Sequence, residues 1–473
     1  MAHVPVPGSE LTADPAAAAE RRIADAVPPP VLVLLKALWA SGQAAYVVGG
    51  SIRDVVLGRV PVDWDLATDA RPDRIQALFP GAVYENRFGT VAVRSADERP
   101  VEITTFRVDH EYADFRRPHR IEFGDSIEED LARRDFTVNA MAWGAIAGGP
   151  AAGDPPGLVD PHAGLADTQA FVLRAVGNPR TRFEEDALRM IRAVRLAATL
   201  GFGVEAATLA GIQARSSLVA HLSGERIATE LDKLLAAPVP SIGLRLMSDT
   251  DLLAPICPDL AAQRGIAQNK LLGEDLWDHT LRAVDAARAD RPVVRLAALL
   301  HDIGKPTTLA DGHFIGHDTV GADLAGAFLD RLRSPRSVRE RVVHLVQQHM
   351  FSYESNWSDA AVRRFIQKIG HESIEELFEL READNIGSGL PAEAGLLDEL
   401  RGRVQAELEA EAVLDLRGLA IDGSDLIDEL GMAPGPTLGR VLDELLERVI
   451  ADPALNDRPT LLLLAQGSLA EDE

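Results

Sequence analysis

The sequence predicts an α+β protein, with a mixed α/β unit in the first third of the chain followed by domains built of helices. Three observations predict it. Short runs rich in β-branched and aromatic residues, Tyr46 to Val48, Thr90 to Arg94 and Val101 to Arg107, cluster early in the chain. After Asn178 the apolar residues recur at helical spacing, as in Leu188, Ile191, Val194 and Ala198. The length, 473 residues, exceeds one ordinary core and suggests about three or four domains, which a hydrophobic fraction of 46% can fill.

Composition excludes several classes. With Cys257 as the only cysteine, no internal disulfide or cysteine-based zinc site can form, which fits a reducing cytoplasm. Residues 1–27 are rich in Ala and Pro, carry Glu20, Arg21, Arg22 and Asp25, and lack a signal-type apolar run, so they read as a flexible tail. No uncharged apolar run reaches the roughly 18 residues of a membrane span; Lys36 interrupts the stretch from Val31, and Leu461 to Ala465 is too short. A soluble protein without a membrane partner is expected; its oligomeric state is left open. A net charge of -25 argues against indiscriminate nucleic-acid binding, which depends on Lys and Arg. The charge is uneven: from Arg381 to the end there are 21 acidic and 7 basic residues, but from Phe171 to Ala237 there are 7 acidic and 9 basic. RNA contact should favour the middle of the chain.

In chain order, Pro28 to Pro30 close the tail and a helix is predicted over Val31 to Trp39. The strand Tyr46 to Val48 then runs into Gly49-Gly50-Ser51-Ile52-Arg53-Asp54. Paired glycines let backbone approach a ligand closely, Ser51 can cap the following helix, and a helix start with the forked Arg53 suits a triphosphate. Asp63 and Asp65 follow in a segment that alternates like a strand, placing both carboxylates on one face. Such a pair can hold Mg²⁺ for nucleotidyl transfer. A lone Gly-Gly is usually a turn and a lone Asp-x-Asp usually a solvated loop; the two in this order are far more specific.

A helix is predicted over Arg71 to Leu78, and strands over Thr90 to Arg94 and Val101 to Arg107 flank a polar turn, Ser95 to Arg99. Glu102 shares a strand face with Thr104 and Phe106 and reads either as a third carboxylate beside the aspartates or as a surface glutamate. Val108 to Asp125, dense in charge, reads as a mobile loop able to close on substrate. In Asp130 to Ala140, Arg133 and Arg134 can neutralise phosphate, while Asp135 and Asn139 can bind ribose or brace the site. Gly148 to Gly157 reads as an insertion or linker.

A helix over Phe183 to Leu200 would carry Asp186, Arg189, Arg192 and Arg195 as a row. The row is either a surface ion-pair ladder or a base reader. An arginine can donate to a ring nitrogen of cytosine or adenine, and an aspartate can accept from the exocyclic amine both bases carry. Glu225, Arg226 and Glu230, within Ser223 to Lys233, would brace it.

Near Leu276 histidines become frequent: His279, His301, His313, His317, His344 and His349, with Asp302, Asp318 and Asp384. Imidazole and carboxylate suit a divalent transition metal, and adjacent His301 and Asp302 at a helix end can supply two ligands. Phosphoester hydrolysis is the usual chemistry of such a set, although the metal can equally serve folding alone. Beyond Asp384 the chain is acidic and helical, with short helices predicted over Ile421 to Leu430 and Gly431 to Val449.

Gly49 to Asp54 with Asp63 and Asp65, then Arg133-Arg134-Asp135-Phe136-Thr137-Val138-Asn139-Ala140, then Glu185-Asp186-Ala187-Leu188-Arg189-Met190-Ile191-Arg192, resemble bacterial class II CCA-adding tRNA nucleotidyltransferases. These share a head with bacterial poly(A) polymerases. The resemblance implies a polymerase β-like nucleotidyltransferase head at 28–172, an all-α neck and body at 173–262, an HD-type metal-binding domain at 263–390 and a helical C-terminal region at 391–473. It implies that Asp63 and Asp65, with Glu102 less securely, are catalytic and that the aspartates hold Mg²⁺. Gly49, Gly50, Ser51, Arg53, Arg134 and Asn139 would bind the triphosphate nucleotide, Asp186 and Arg189 would template CTP and then ATP, and Arg192 and Arg195 would support them. His279, His301, Asp302 and Asp384 would hold a second divalent transition metal. The implied function is addition of CMP, CMP and AMP to the tRNA 3′ end. Alternatives are a poly(A) polymerase, disfavoured by the lack of paired basic residues in Tyr84 to Val93, a C-only or A-only enzyme, and a metal-dependent phosphohydrolase with a nucleotide-binding head.

Overall fold

The structure, a computed structural model, describes residues 15–84, 89–95, 97–112, 118–147, 149, 155–268, 270–410 and 413–471. Its contacts separate into two units, Met1–Ile256 and Cys257–Glu473.

The first unit opens with helix α1 (Pro15–Ala26), where the sequence suggested a flexible tail. Alanine has the highest helix propensity, and Ala19 and Ile23, one turn apart, are both fully buried. They join a core with Leu35, Leu38 and Trp39 of helix α2 (Pro29–Ala40). The expectation for residues 15–27 is therefore corrected; residues 1–14 lie outside the described residues. Ile23→Ala should destabilise this unit by about 2–5 kcal/mol. A urea midpoint unchanged from the parent would show that α1 adds nothing to the fold.

Strand β1 (Ala45–Val48) is buried throughout and leads directly into helix α3 (Gly50–Val56). Then come β2 (Asp65–Thr68), α4 (Pro72–Leu78), β3 (Val83–Tyr84), β4 (Thr90–Arg94) and β5 (Pro100–Thr105). The expected mobile loop from Val108 instead contains a hairpin, β6 (Arg107–Tyr112) and β7 (Pro118–Phe123), paired antiparallel. Ladder hydrogen bonds do not require an aliphatic face, which is why charge density misread it. Helix α5 (Ile127–Ala132), β8 (Ala142–Ala145) and β9 (Gly157–Val159) complete the head. Gly157 thus begins a strand instead of belonging wholly to a linker, while residues 148 and 150–154 are outside the described set.

Seven strands form one sheet in the order β3-β4-β5-β2-β1-β8-β9. Leu66, Val91 and Ile103 point to the face packed by α1 to α4. Residues alternate across a pleated strand, so Asp65, Thr90, Glu102 and Thr104 point to the opposite side. Val48 pairs with Asp65, which sets the turn after β1 beside the start of β2. Leu66 pairs with Ile103 in parallel, so the preceding residues, Asp65 and Glu102, are neighbours on one face.

Helices α6 (Gly164–Gln169), α7 (Pro179–Glu185), α8 (Leu188–Leu200), α9 (Ala206–Arg215) and α10 (Gly224–Leu235) follow. The helix expected over Phe183 to Leu200 is broken at Asp186, whose backbone is extended (φ -146°, ψ 106°) and whose carboxylate accepts from Leu188 N at 3.1 Å. A short polar side chain that bonds the nearby backbone competes with helix continuation.

The second unit is helical, with principal helices Leu276–Ala286, Pro292–Leu300, His317–Arg331, Arg336–Gln348 and His371–Gly387. Gly423–Leu430 and Pro436–Ala451 match the two helices expected near the C-terminal end, and both pack through a core that includes Leu426, Val441, Leu445 and Leu461. Burial pushes the Cys257 thiol up to about 12. Among the described residues, no single helix is long and apolar enough to cross a membrane.

Candidate active site

A cleft of about 550 Å³ in the first unit has the sheet's polar face as its floor and α3, α8 and α10 in its walls. Gly49 sits at its edge with φ +82°, and a Cβ there would lie 2.9 Å from Arg134 Nη1. Only glycine accepts both that backbone and that approach. Gly50 starts α3 and lines the cleft. Ser51 neither caps α3 nor lines the cleft: Gly49 holds the cap position, and the buried Ser51 hydroxyl faces Val48 O at 3.4 Å. The cap expected of Ser51 is corrected accordingly, because α3 begins at Gly50, two residues before the start that a Ser51 cap requires.

Asp65 and Glu102 lie together on the floor. Asp63 falls in the exposed stretch just before β2 and not in a strand, so the expected strand alternation does not orient the pair. The two charges nevertheless sense each other. Desolvation raises the Asp65 carboxyl above its usual range; Arg134 opposes this, and the nearby Asp63 adds to it. Asp65 lines the cleft and Asp63 does not, but two carboxylates close enough to repel are a donor set suited to a hard divalent cation. Phe106 lies on the Glu102 face as expected, buried in the core that Tyr46, Val48 and Ala67 form on that side of the sheet.

Arginines crowd the walls. Arg53 Nη1 donates to Asn139 Oδ1 at 2.6 Å, and Arg134 Nη1 donates to Asn139 O at 3.3 Å. Buried Asp130 anchors Arg133 at 2.5 Å and Arg134 at 3.2 Å. Buried Asp135 accepts from Asn139 Nδ2 at 3.2 Å and from Arg192 Nε at 2.8 Å. Burial by itself would raise the Asp135 carboxyl, but Arg192, by charge and hydrogen bond, and then Arg189 outweigh it and hold it well below the usual carboxylate range. Asp135 is thus the brace of the arginine row. Asp135→Ala leaves Arg192 without its closest counter-charge and should cost about 3–5 kcal/mol, the usual penalty for breaking a buried ion pair. Chemical denaturation reads this; a loss below about 1 kcal/mol would refute the bracing role.

Asp186 and Arg189 both line the cleft; Arg189 N donates to Asp186 O at 3.1 Å, while their side chains turn to other partners. Asp186 accepts from Arg226 Nη2 at 2.8 Å, and Arg189 donates to Glu185 at 2.6 Å and to Arg133 O at 2.8 Å. Glu230 on α10 holds Arg195 at 2.6 Å, so the bracing helix expected from Ser223 to Lys233 is present. Among the described residues, Arg134 Nε and Arg226 Nη1 are buried without a hydrogen-bond partner, donors that suit an anionic or base-bearing ligand. Asp130 and Glu185 escaped the sequence reading as site-building residues because a carboxylate that fixes an arginine looks like any surface acid until the fold buries it.

In the second unit, four residues of the expected metal set converge. His279 Nε2 lies 3.3 Å from Asp302 Oδ2 and 3.3 Å from Asp384 Oδ1, and His301 Nε2 lies 3.2 Å from Asp302 Oδ2. His301 and Asp302 directly follow helix Pro292–Leu300, as expected. His344 is elsewhere, bonded to Ile369 O, whereas His317 and His349 join the cluster. An even spread of histidines along the sequence could not rank them; the packing of His317–Arg331 against Arg336–Gln348 did.

Residues 45–174 match the family described as poly A polymerase head domain, residues 201–264 that described as probable RNA and SrmB-binding site of polymerase A, and residues 270–388 the HD domain. A CCA-adding enzyme from Streptococcus suis is 30% identical over 442 residues, covering 93% of this chain and 97% of that protein. One from Lactococcus lactis is 33% identical over 434 residues, covering 91% and 94%. The crystal structure of the Bacillus stearothermophilus CCA-adding enzyme in complex with CTP superposes with a TM-score of 0.70 at 27% identity, covering 94% of this chain and 99% of that one. The Thermotoga maritima CCA-adding enzyme complexed with tRNA shares the fold at a TM-score of 0.59 and 20% identity, covering 95% and 98%.

Proposed function

This chain belongs to the CCA-adding enzyme family, and on that premise we propose how its residues divide the reaction. It is a tRNA nucleotidyltransferase that adds CMP, CMP and AMP, from CTP and ATP, to the tRNA 3′ end without a nucleic-acid template. One observation carries the assignment of roles: a single cleft gathers Asp65 and Glu102, the Arg53 and Arg134 donors, and the Asp186 and Arg189 base edge.

Asp63 and Asp65 would hold Mg²⁺, with Glu102 as the third carboxylate neighbouring Asp65. Held there, Mg²⁺ would help activate the attacking hydroxyl and compensate charge on the departing pyrophosphate. Gly49 and Gly50 admit the triphosphate against backbone, and Arg53 and Arg134, steadied by Asn139, neutralise it. The tRNA 3′ oxygen attacks the α-phosphorus, the bond to the β-phosphate oxygen breaks, and pyrophosphate leaves toward these arginines. Asp186 accepts from the exocyclic amine of cytosine or adenine and Arg189 donates to the ring nitrogen, which uracil and guanine cannot match. Arg192 and Arg195, fixed by Asp135 and Glu230, hold α8 in place for this reading.

The proposed domains are a head to residue 172, preceded by α1, then a neck and body at 173–262, an HD domain at 263–390 and a helical region at 391–473; the matched family boundaries support them. In the HD domain His279, His301, Asp302 and Asp384 hold a divalent transition metal, supported by their convergence. A tRNA substrate and the lone buried Cys257 support a cytoplasmic location.

The test is incorporation of labelled CTP and ATP, separately and together with Mg²⁺, on a tRNA lacking its terminal CCA and on an unrelated RNA. Two C and one A added to the tRNA, then a stop, is the expected result. Long A tracts, or arrest after C alone, would overturn the template assignment.

A further inference from the structure

A cavity of about 390 Å³ in the second unit takes no part in the histidine cluster. It lies where helix Arg336–Gln348, helix Asp359–Ile369 and the segment joining them meet. Its walls are aromatic. Phe351, Trp357 and Phe365 line it, with ring centroids 5.3 Å apart for Phe351 and Phe365 and 6.1 Å apart for Trp357 and Phe365. Polar side chains share the lining: Gln347, Gln348 and Asp318 bring amides and a carboxylate, and Arg364 and Lys368 bring two cations. Arg364 is held by Glu447 at 3.1 Å with its side chain 48% exposed, and Lys368 has no ion-pair partner among the described residues.

The cavity adjoins the histidine cluster. Met350 directly follows His349 and lines both this cavity and a cleft of about 610 Å³ that is also lined by His317, His349, Lys305 and Arg381. Phe351 ties the two together. The Arg381 guanidinium stacks over the Phe351 ring at 4.7 Å from its centroid, Arg381 Nη2 donates to Phe351 O, and Arg381 Nη1 donates to Asp384 Oδ2 at 3.4 Å. The aromatic wall is thereby fixed to helix His371–Gly387, whereas Met350, unbranched and 57% exposed, can turn aside and join the two spaces.

This chemistry selects an occupant. Aromatic rings beside amide and carboxylate groups can stack on a nucleobase and bond its edge, whereas a purely apolar ligand would leave those polar groups unmatched. Cations stand in both spaces, Arg364 and Lys368 in the cavity and Lys270, Lys305 and Arg381 in the cleft. A mononucleotide brings one phosphate, which serves one set; a nucleotide inside a strand has a phosphate on each side and serves both. A duplex keeps its bases stacked on one another and offers no free face. We propose that the cavity is a base-binding subsite for single-stranded RNA: it takes one unpaired base, with one flanking phosphate toward Arg364 and Lys368 and the other toward the histidine cluster. The proposal is independent of the roles assigned to the head.

The experiment labels the full chain with 5-fluorotryptophan and follows it by fluorine NMR. Trp357 is one of five tryptophans, and the signal missing from Trp357→Phe identifies it. The probes are the trinucleotide pCpCpC, CMP and a blunt RNA duplex. The expected result is a saturable movement of the Trp357 signal with pCpCpC, about tenfold tighter than with CMP, and none with the duplex. Arg364→Gln with Lys368→Gln should weaken the trinucleotide response by about tenfold, and circular dichroism checks the fold. Equal affinity for CMP and pCpCpC would mark a free-nucleotide site, and a Trp357 signal that moves with neither would mark a surface for some other partner. Either outcome overturns the proposal, as does a folded double variant with an unchanged response. The parent titrations decide it even if the variant fails to fold.

Discussion

Asp65→Asn should reduce nucleotide incorporation by at least about 1,000-fold, equivalent to roughly 4 kcal/mol of transition-state stabilisation. The amide keeps the size of the carboxylate but loses its charge and one acceptor, the two properties a divalent ion needs. Stability should change little, because the exposed Asp65 contributes no apolar packing and its carboxyl is already disfavoured by desolvation and by Asp63. The expected pattern is therefore a collapse of turnover with the unfolding midpoint retained and CTP binding largely preserved through Arg53 and Arg134. Single-turnover incorporation and calorimetry on the same preparation would measure both. Residual activity within tenfold of the parent would remove Asp65 from the catalytic pair and shift attention to Glu102, its neighbour across the β2–β5 register.

Asp186→Ala should lower discrimination for CTP over UTP by about 10- to 200-fold, the range expected when a hydrogen-bonded base edge worth about 1–3 kcal/mol is lost. The structure makes this a sensitive position. Asp186 stands outside any helix, and its carboxylate is engaged by Arg226 at 2.8 Å, so the aspartate is aimed by a neighbour instead of by regular backbone. Removing it withdraws the acceptor for the exocyclic amine and leaves the Arg226 donor facing the cleft, which favours the carbonyl of uracil. The ratio of kcat/KM for CTP and UTP on a tRNA lacking CCA measures the effect. An unchanged ratio would show that Asp186 serves only to hold Arg226, and that the base is read elsewhere.

Much of the head was legible in the sequence. The Gly49–Gly50 turn before α3 could be read because a tight turn depends on residue types at close spacing, which is local information. The helix of Glu225, Arg226 and Glu230 was legible for the same reason. Three readings failed where local and global preferences diverge. Ser51 looked like a cap, but Gly49, two residues earlier, had already turned the chain into the helix. The Asp186 row looked like one helix, but a side-chain bond to Leu188 N breaks it. Residues 15–27 looked loose because their apolar residues are mostly alanine and form no continuous large-apolar run, yet Ala19 and Ile23 find a sheet-backed core to fill.

The sequence by itself determined the order of the units, the residue types able to hold a phosphate, a base and a metal, and the clustering of strands before helices. These follow from composition, periodicity and short spacing. Only the tertiary structure decided which acids fix which arginines, and that Asp65 and Glu102 are neighbours through a parallel pairing of β2 and β5. It alone decided that one carboxylate, Asp302, stands between two pairs of histidines drawn from helices distant in sequence. Contacts of that kind depend on where separate elements are packed, and no periodicity within a single element records it.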